Sequence, residues 1–266
     1  MKTYDTAEKV SVCHWKNGQK VLRDDTVAEE VPVALVYNGI SHAVMLATPA
    51  DLEDFALGFS LTEGIIEVPE EIYGTEIVEV ENGIRVEMDI ASERFQYLKE
   101  RRRNLTGRTG CGLCGTDSLS QAVRMPPLVM SNPVFSTEVI HWGFEKMDEL
   151  QLLKKKTGAT HAAAWLDANG NVGLVREDVG RHNALDKLIG ALVRQKADRS
   201  TGAALVTSRA SYEMVQKCGS AGIGMLAAVS APTALAIQIA NEINLTLLGF
   251  VRENGHTVYA HPQRLV

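Results

Sequence analysis

The residues best suited to chemistry are two cysteines in the stretch TGCGLCGTDS, residues 109–118. Cys111 and Cys114 form a C-x-x-C with glycines on both sides, which leaves thiols accessible and backbone adaptable. Arg101, Arg102, Arg103 and Arg108 precede them, and nearby cations favour the thiolate. Four readings follow. A metal knuckle needs two more ligands, and the chain has no second C-x-x-C and no H-x-x-x-H. A zinc deaminase needs H-x-E ahead of P-C-x-x-C, whereas here Gly110 precedes Cys111 and His161-Ala162-Ala163 comes after the pair. Dithiol exchange of the thioredoxin kind needs a strand-to-helix junction, and this pair sits in a Gly/Pro-rich stretch. Sulfur carriage, in which a reactive thiol takes up a persulfide and passes its outer sulfur on, fits an accessible pair in a loop. The fourth reading is a pair of ordinary reduced cysteines. Cys13, alternating with valines in a strand pattern, and Cys218, at the end of a helix pattern, read as structural. His42, His141, His256 and His261 are scattered and suggest no role.

A second set of candidates lies in polar turns that open helices: REDVGRHN (176–183), TSRAS (207–211) and SAPT (230–233), with GFVRENG (249–255) after the last long strand. Unpaired N–H groups at helix N-termini favour anions. With Arg181, His182, Arg209 and Arg252 nearby, these turns suit a phosphorylated or nucleotide ligand. The same Ser and Asp residues also serve as ordinary helix caps. No G-x-x-x-x-G-K-[ST] is present and no G-x-G-x-x-G opens a helix.

The elements that must position these residues follow from periodicity and turn signals. Strands are expected at 31–37 and 41–47 about Asn38-Gly39, then a helix from Asp51 to about Leu61. A second hairpin spans 76–80 and 84–90, and a helix covers 92–103. Periodicity breaks over 104–135, where glycines and prolines concentrate. Beyond it come a helix over 137–156, strands 160–166 and 172–177, and then alternation: helix 181–196, strand 203–207, helix 211–218, strand 223–229, helix 232–241 with Pro232 at its first position, strand 245–251 and strand 256–260. Such alternation predicts a largely parallel sheet covered by helices. The organisation expected is an N-terminal α+β domain over 1–104, a flexible loop carrying the C-x-x-C over 105–135, and an α/β core over 136–266.

Composition bounds the answer. The chain has 266 residues, 45% hydrophobic and 23% charged, enough for a substantial core and unlike a disordered chain. A net charge of −6 argues against nucleic-acid binding by the protein as a whole. The N-terminal residues lack an apolar signal region, so a cytoplasmic location is expected. Residues 221–240 are nearly free of charge, but Ser230, Pro232, Thr233 and Gln238 interrupt them, so no membrane span is expected.

Several long motifs, in order, resemble the formate dehydrogenase accessory sulfurtransferase family, FdhD: RTGCGLCGTDSL (108–119), REDVGRHNALDKLIG (176–190), TSRASYEMVQK (207–217), SAPTALA (230–236) and LTLLGFVREN (245–254). The resemblance implies an α/β fold, with a cytidine deaminase-like three-layer core and a smaller N-terminal α+β domain, in a cytoplasmic homodimer. It implies a sulfurtransferase that takes sulfur from an L-cysteine desulfurase as a cysteine persulfide. The sulfur goes to the molybdenum of bis-molybdopterin guanine dinucleotide, for formate dehydrogenase. Carried over by motif, Cys111 bears the persulfide and Cys114 is its partner. Phe250, Val251, Arg252, Glu253, Asn254 and Gly255 match the segment binding the guanine dinucleotide, and His182 and Arg209 fall in motifs beside it. No resident metal is implied. Two rivals are a cofactor-binding chaperone that transfers no sulfur and a zinc-stabilised interaction protein.

Overall fold

The structure is a computed structural model that describes residues 4–106, 123–252 and 255–266. It opens with a hairpin of β1 (Ala7–Lys16) and β2 (Gln19–Ala28), a two-stranded sheet on its own. Asn17 and Gly18 both adopt positive φ (53° and 78°), the geometry that matches a two-residue turn to strand twist. Cys13, expected to be structural, is exposed here. It pairs across the strands with Leu22, which is itself 77% exposed.

A four-stranded sheet follows in the order β4-β3-β6-β5, from β3 (Val31–Tyr37), β4 (Ile40–Ala47), β5 (Ile72–Val80) and β6 (Gly83–Ile90). Helices α1 (Leu52–Thr62) and α2 (Ser92–Thr106) cover it, with Phe55, Phe59 and Leu98 packed on Val33, Leu35, Val86 and Met88.

The second sheet has six strands, β7 (His161–Leu166), β8 (Val172–Asp178), β9 (Ala203–Val206), β10 (Met225–Ala228), β11 (Thr246–Arg252) and β12 (Gly255–Ala260). Their order is β12-β11-β10-β9-β7-β8. The expected largely parallel sheet is corrected to a mixed one. Only β9, β10 and β11 run parallel, while β7 is antiparallel to both β8 and β9, and β12 to β11. The reason is connection length: β7–β8 and β11–β12 are joined by connections too short for a crossover. Alternation along β7 sends Ala163 and Trp165 to one face and Ala162, Ala164 and Leu166 to the other. The first face is covered by α5 (Arg181–Arg194), α6 (Tyr212–Ser220) and α7 (Ala234–Glu242), the second by α3 (Thr137–Leu150).

Two helix expectations are corrected. The helix expected over 137–156 is two, α3 and α4 (Leu152–Thr157), broken at Gln151 with ψ of 76°. The Glu177 carboxylate accepts from the amides of Leu153 and Lys154, satisfying the N-terminus of α4. Pro232 lies before the last helix rather than at its first position, because Thr233 is the N-cap and its hydroxyl accepts from Ala236 N.

The two sheets are joined where α1 crosses α5. A Cβ on Gly58 would collide with the Asp186 carbonyl, and one on Gly190 with that of Asp54, so both glycines permit the close approach. Around the crossing, Asp54 pairs with Arg176 and Arg194, both at 2.7 Å. Lys187 and Asp178, both wholly buried, are 2.7 Å apart. Asp178 also accepts from Thr48 N, and Lys187 donates to Thr48 O. Lys217 bonds Asp186, Glu63 and the Thr62 hydroxyl.

Candidate site at the carboxyl ends of the parallel strands

The turns that follow β9, β10 and β11 lie side by side. Val229 N donates to Val206 O, Thr233 N to Ala210 O, and Phe250 N to Ser230 O at 3.3 Å. Backbone bonds thus align three turns that periodicity could only place in sequence. In open α/β sheets ligands bind at this edge. A cleft of about 690 Å³ opens here, lined by Thr207 and Val229 past β9 and β10, by Phe250, Val251, Arg252 and Gly255, and by Phe144, Met147, Asp148, Gln151 and Lys154 of α3 and α4.

Four of the sequence-predicted residues therefore meet in one cleft. Val251 is buried and anchors the strand in the core, and Arg252 is exposed. Phe250 holds φ at 54°, rare for a bulky residue, and leaves its side chain 43% exposed. The cause is a register break between Gly249 and Arg252 in the β11–β12 ladder. Gly249 must stay small, since a Cβ would come within 2.8 Å of Pro232 and 3.0 Å of the Tyr259 ring. Strain of this kind, with an aromatic ring turned outward, marks functional sites. Cys111, Cys114, Glu253 and Asn254 lie outside the described residues.

His182 and Arg209 do not line the cleft. Arg209 is exposed, two residues past Thr207. His182 opens α5, on the sheet face opposite α3, with Nε2 3.9 Å from the Glu213 carboxylate. Burial, then Arg181, pushes its pKa down to about 4, so the ring is neutral at pH 7. Most of its motif proves structural: Arg176, Glu177, Asp178, Asn183, Asp186 and Lys187 are all engaged inside the protein. Arg124, after the cysteine stretch, is fixed by the Tyr212 hydroxyl at the start of α6 and by Thr62 O.

Sequence reasoning missed two features. Asp148, Gln151 and Lys154 carry no motif signal and join the cleft because the helix breaks at Gln151. His141 and His256 form a pair, Nε2 to Nδ1 at 3.0 Å, between α3 and β12. Nothing local signals this, since 115 residues separate them. Burial and the neighbouring His141 both lower the pKa of His256. Among the described residues, no group of three or more His, Cys, Asp or Glu side chains is placed to hold a metal ion. Among them too, no helix is long and apolar enough to cross a membrane.

The family model described as FdhD/NarQ family matches residues 28–266. The sulfur carrier protein FdhD of Cupriavidus necator is 62% identical over 260 residues, 98% of this chain and 90% of that protein. The sulfur carrier protein FdhD of Xanthomonas oryzae pv. oryzae is 51% identical, covering 96% of this chain and 91% of that protein. Among solved structures, a formate dehydrogenase accessory protein from Desulfotalea psychrophila superposes with a TM-score of 0.77 at 24% identity, over 98% of this chain and all of that one, which shows the same mixed α/β fold. On the family match and these identities, the chain belongs to the FdhD/NarQ family.

Proposed function

We propose that the protein is a sulfurtransferase that takes sulfur from an L-cysteine desulfurase and delivers it to molybdenum in bis-molybdopterin guanine dinucleotide, for formate dehydrogenase. In the first step the Cys111 thiolate attacks the outer sulfur of the desulfurase persulfide. An S–S bond forms on Cys111, the old S–S bond breaks, and the desulfurase leaves as a thiolate. Cys114 is the partner thiol. The names borne by the relatives support sulfur carriage. The cofactor is the substrate, and the observation that carries its binding is the cleft at the carboxyl ends of β9, β10 and β11.

The residues present fit a guanine nucleotide. Phe250 offers an aromatic face, Arg252 and Lys154 offer cations to phosphates, and Asp148 offers acceptors. Phe250, Val251, Arg252, Glu253, Asn254 and Gly255 form the nucleotide segment, while His182 and Arg209 stand outside the cleft at the same end of the sheet. The strand order of the six-stranded sheet supports a cytidine deaminase-like core, with the N-terminal sheet as a smaller domain. The working form is a cytoplasmic homodimer.

The test uses Cys111→Ala. Formate dehydrogenase activation is expected to be lost while guanosine diphosphate still binds. Full activation by the variant would leave the cofactor-binding chaperone as the better account. Loss of nucleotide binding would make the cysteine stretch a structural part of the site.

A further inference from the structure

We propose that Asp148 selects the base, reading guanine through its N1–H and N2 amino group while Phe250 supplies the stacking face. This rests on the nucleotide-binding reading of the cleft and goes beyond it by assigning specificity to one side chain. Both residues line the same cleft. An ionised carboxylate only accepts hydrogen bonds, so it selects a partner with donors. Among the common bases, guanine presents two neighbouring N–H donors on one edge. Adenine and cytosine offer an exocyclic amine beside a ring acceptor, which a carboxylate repels.

Asp148 is held for this task. Lys154 Nζ donates to its Oδ1 at 3.0 Å, and Gln151 Nε2 reaches the same oxygen at 3.5 Å. Both bonds fall on Oδ1, and no hydrogen bond among the described residues engages Oδ2. The Asp148 side chain is 66% exposed, so a ligand can reach it. Phe250, with its positive φ and 43% exposure, supplies the aromatic face. Arg252 remains for the diphosphate.

The experiment is calorimetric titration of the full chain with guanosine, inosine, xanthosine and adenosine diphosphates. For the wild type, inosine diphosphate, which lacks the N2 amine, binds about tenfold more weakly than guanosine diphosphate. In Asp148→Asn the order inverts. The amide now donates to the O2 of xanthine, so xanthosine diphosphate gains about tenfold while guanosine diphosphate loses a similar factor. That gain shows that the variant folds. Equal wild-type affinity for guanosine and inosine diphosphates overturns the proposal. So does a D148N variant that binds guanosine diphosphate as the wild type does. A wild type that binds no diphosphate at all refutes the nucleotide-binding reading itself.

Discussion

Replacing Lys187 by Met isolates the ion pair that ties the N-terminal sheet to the core. Both Lys187 and Asp178 are wholly buried. In the variant Asp178 keeps three neutral donors, Thr48 N, Gly180 N and Asn183 Nδ2, at 2.7 to 3.0 Å. It loses its only ionic partner at hydrogen-bond distance among the described residues, and Thr48 O loses its donor. Breaking a buried pair from one side costs about 3–5 kcal/mol, because a charge is left uncompensated. The retained donors place this case at the lower end, about 3 kcal/mol. With a urea slope of about 2–3 kcal/mol per molar, the midpoint falls by about 1 M. The double variant Asp178→Asn, Lys187→Met removes the stranded charge as well and recovers part of the loss. Urea unfolding followed by circular dichroism measures all three proteins. A loss below about 1 kcal/mol in the single variant, or a double variant no better than it, refutes the reasoning.

Gly190→Ala forces a Cβ into the Asp54 carbonyl and is expected to cost about 2–3 kcal/mol or more, whereas Gly173→Ala has open space and changes stability by less than about 0.5 kcal/mol; thermal unfolding compares them. His182 titrates at about 4 in the fold against 6.5 unfolded, so its contribution is intact above pH 6.5. As pH falls from 6.5 toward 4 the unfolded chain takes the proton first, and stability drops by at most about 3 kcal/mol. His182→Gln removes that part of the pH dependence, and an unchanged slope over this range counts against it. Burial pushes the Cys218 thiol up to about 12, with Asp186 adding to the shift, so native protein at pH 8 is expected to be alkylated at exposed Cys13 and spared at Cys218, an outcome that peptide mass mapping checks.

The hairpins at Asn38-Gly39 and Asn169-Gly170 were legible because turn chemistry is local. Helix α5 was legible because its apolar face repeats at helical spacing. The mixed sheet was not, since strand direction depends on which neighbours pair and not on any one strand's residues. The motif REDVGRHNALDK was legible as important, but most of its polar residues join the two sheets. A sequence shows a charge without showing that Lys187 faces Asp178 or that Lys217 faces Asp186. Half of the cleft was readable in GFVREN; the other half, Asp148 to Lys154, depends on a helix break set by Glu177 from a distant strand.

The most direct test of the central claim is the intact mass of the protein after incubation with a cysteine desulfurase and L-cysteine, with Cys111→Ala alongside. The account predicts a gain of about 32 Da that reductant removes and the variant lacks. An unchanged wild-type mass beside an active desulfurase would contradict it.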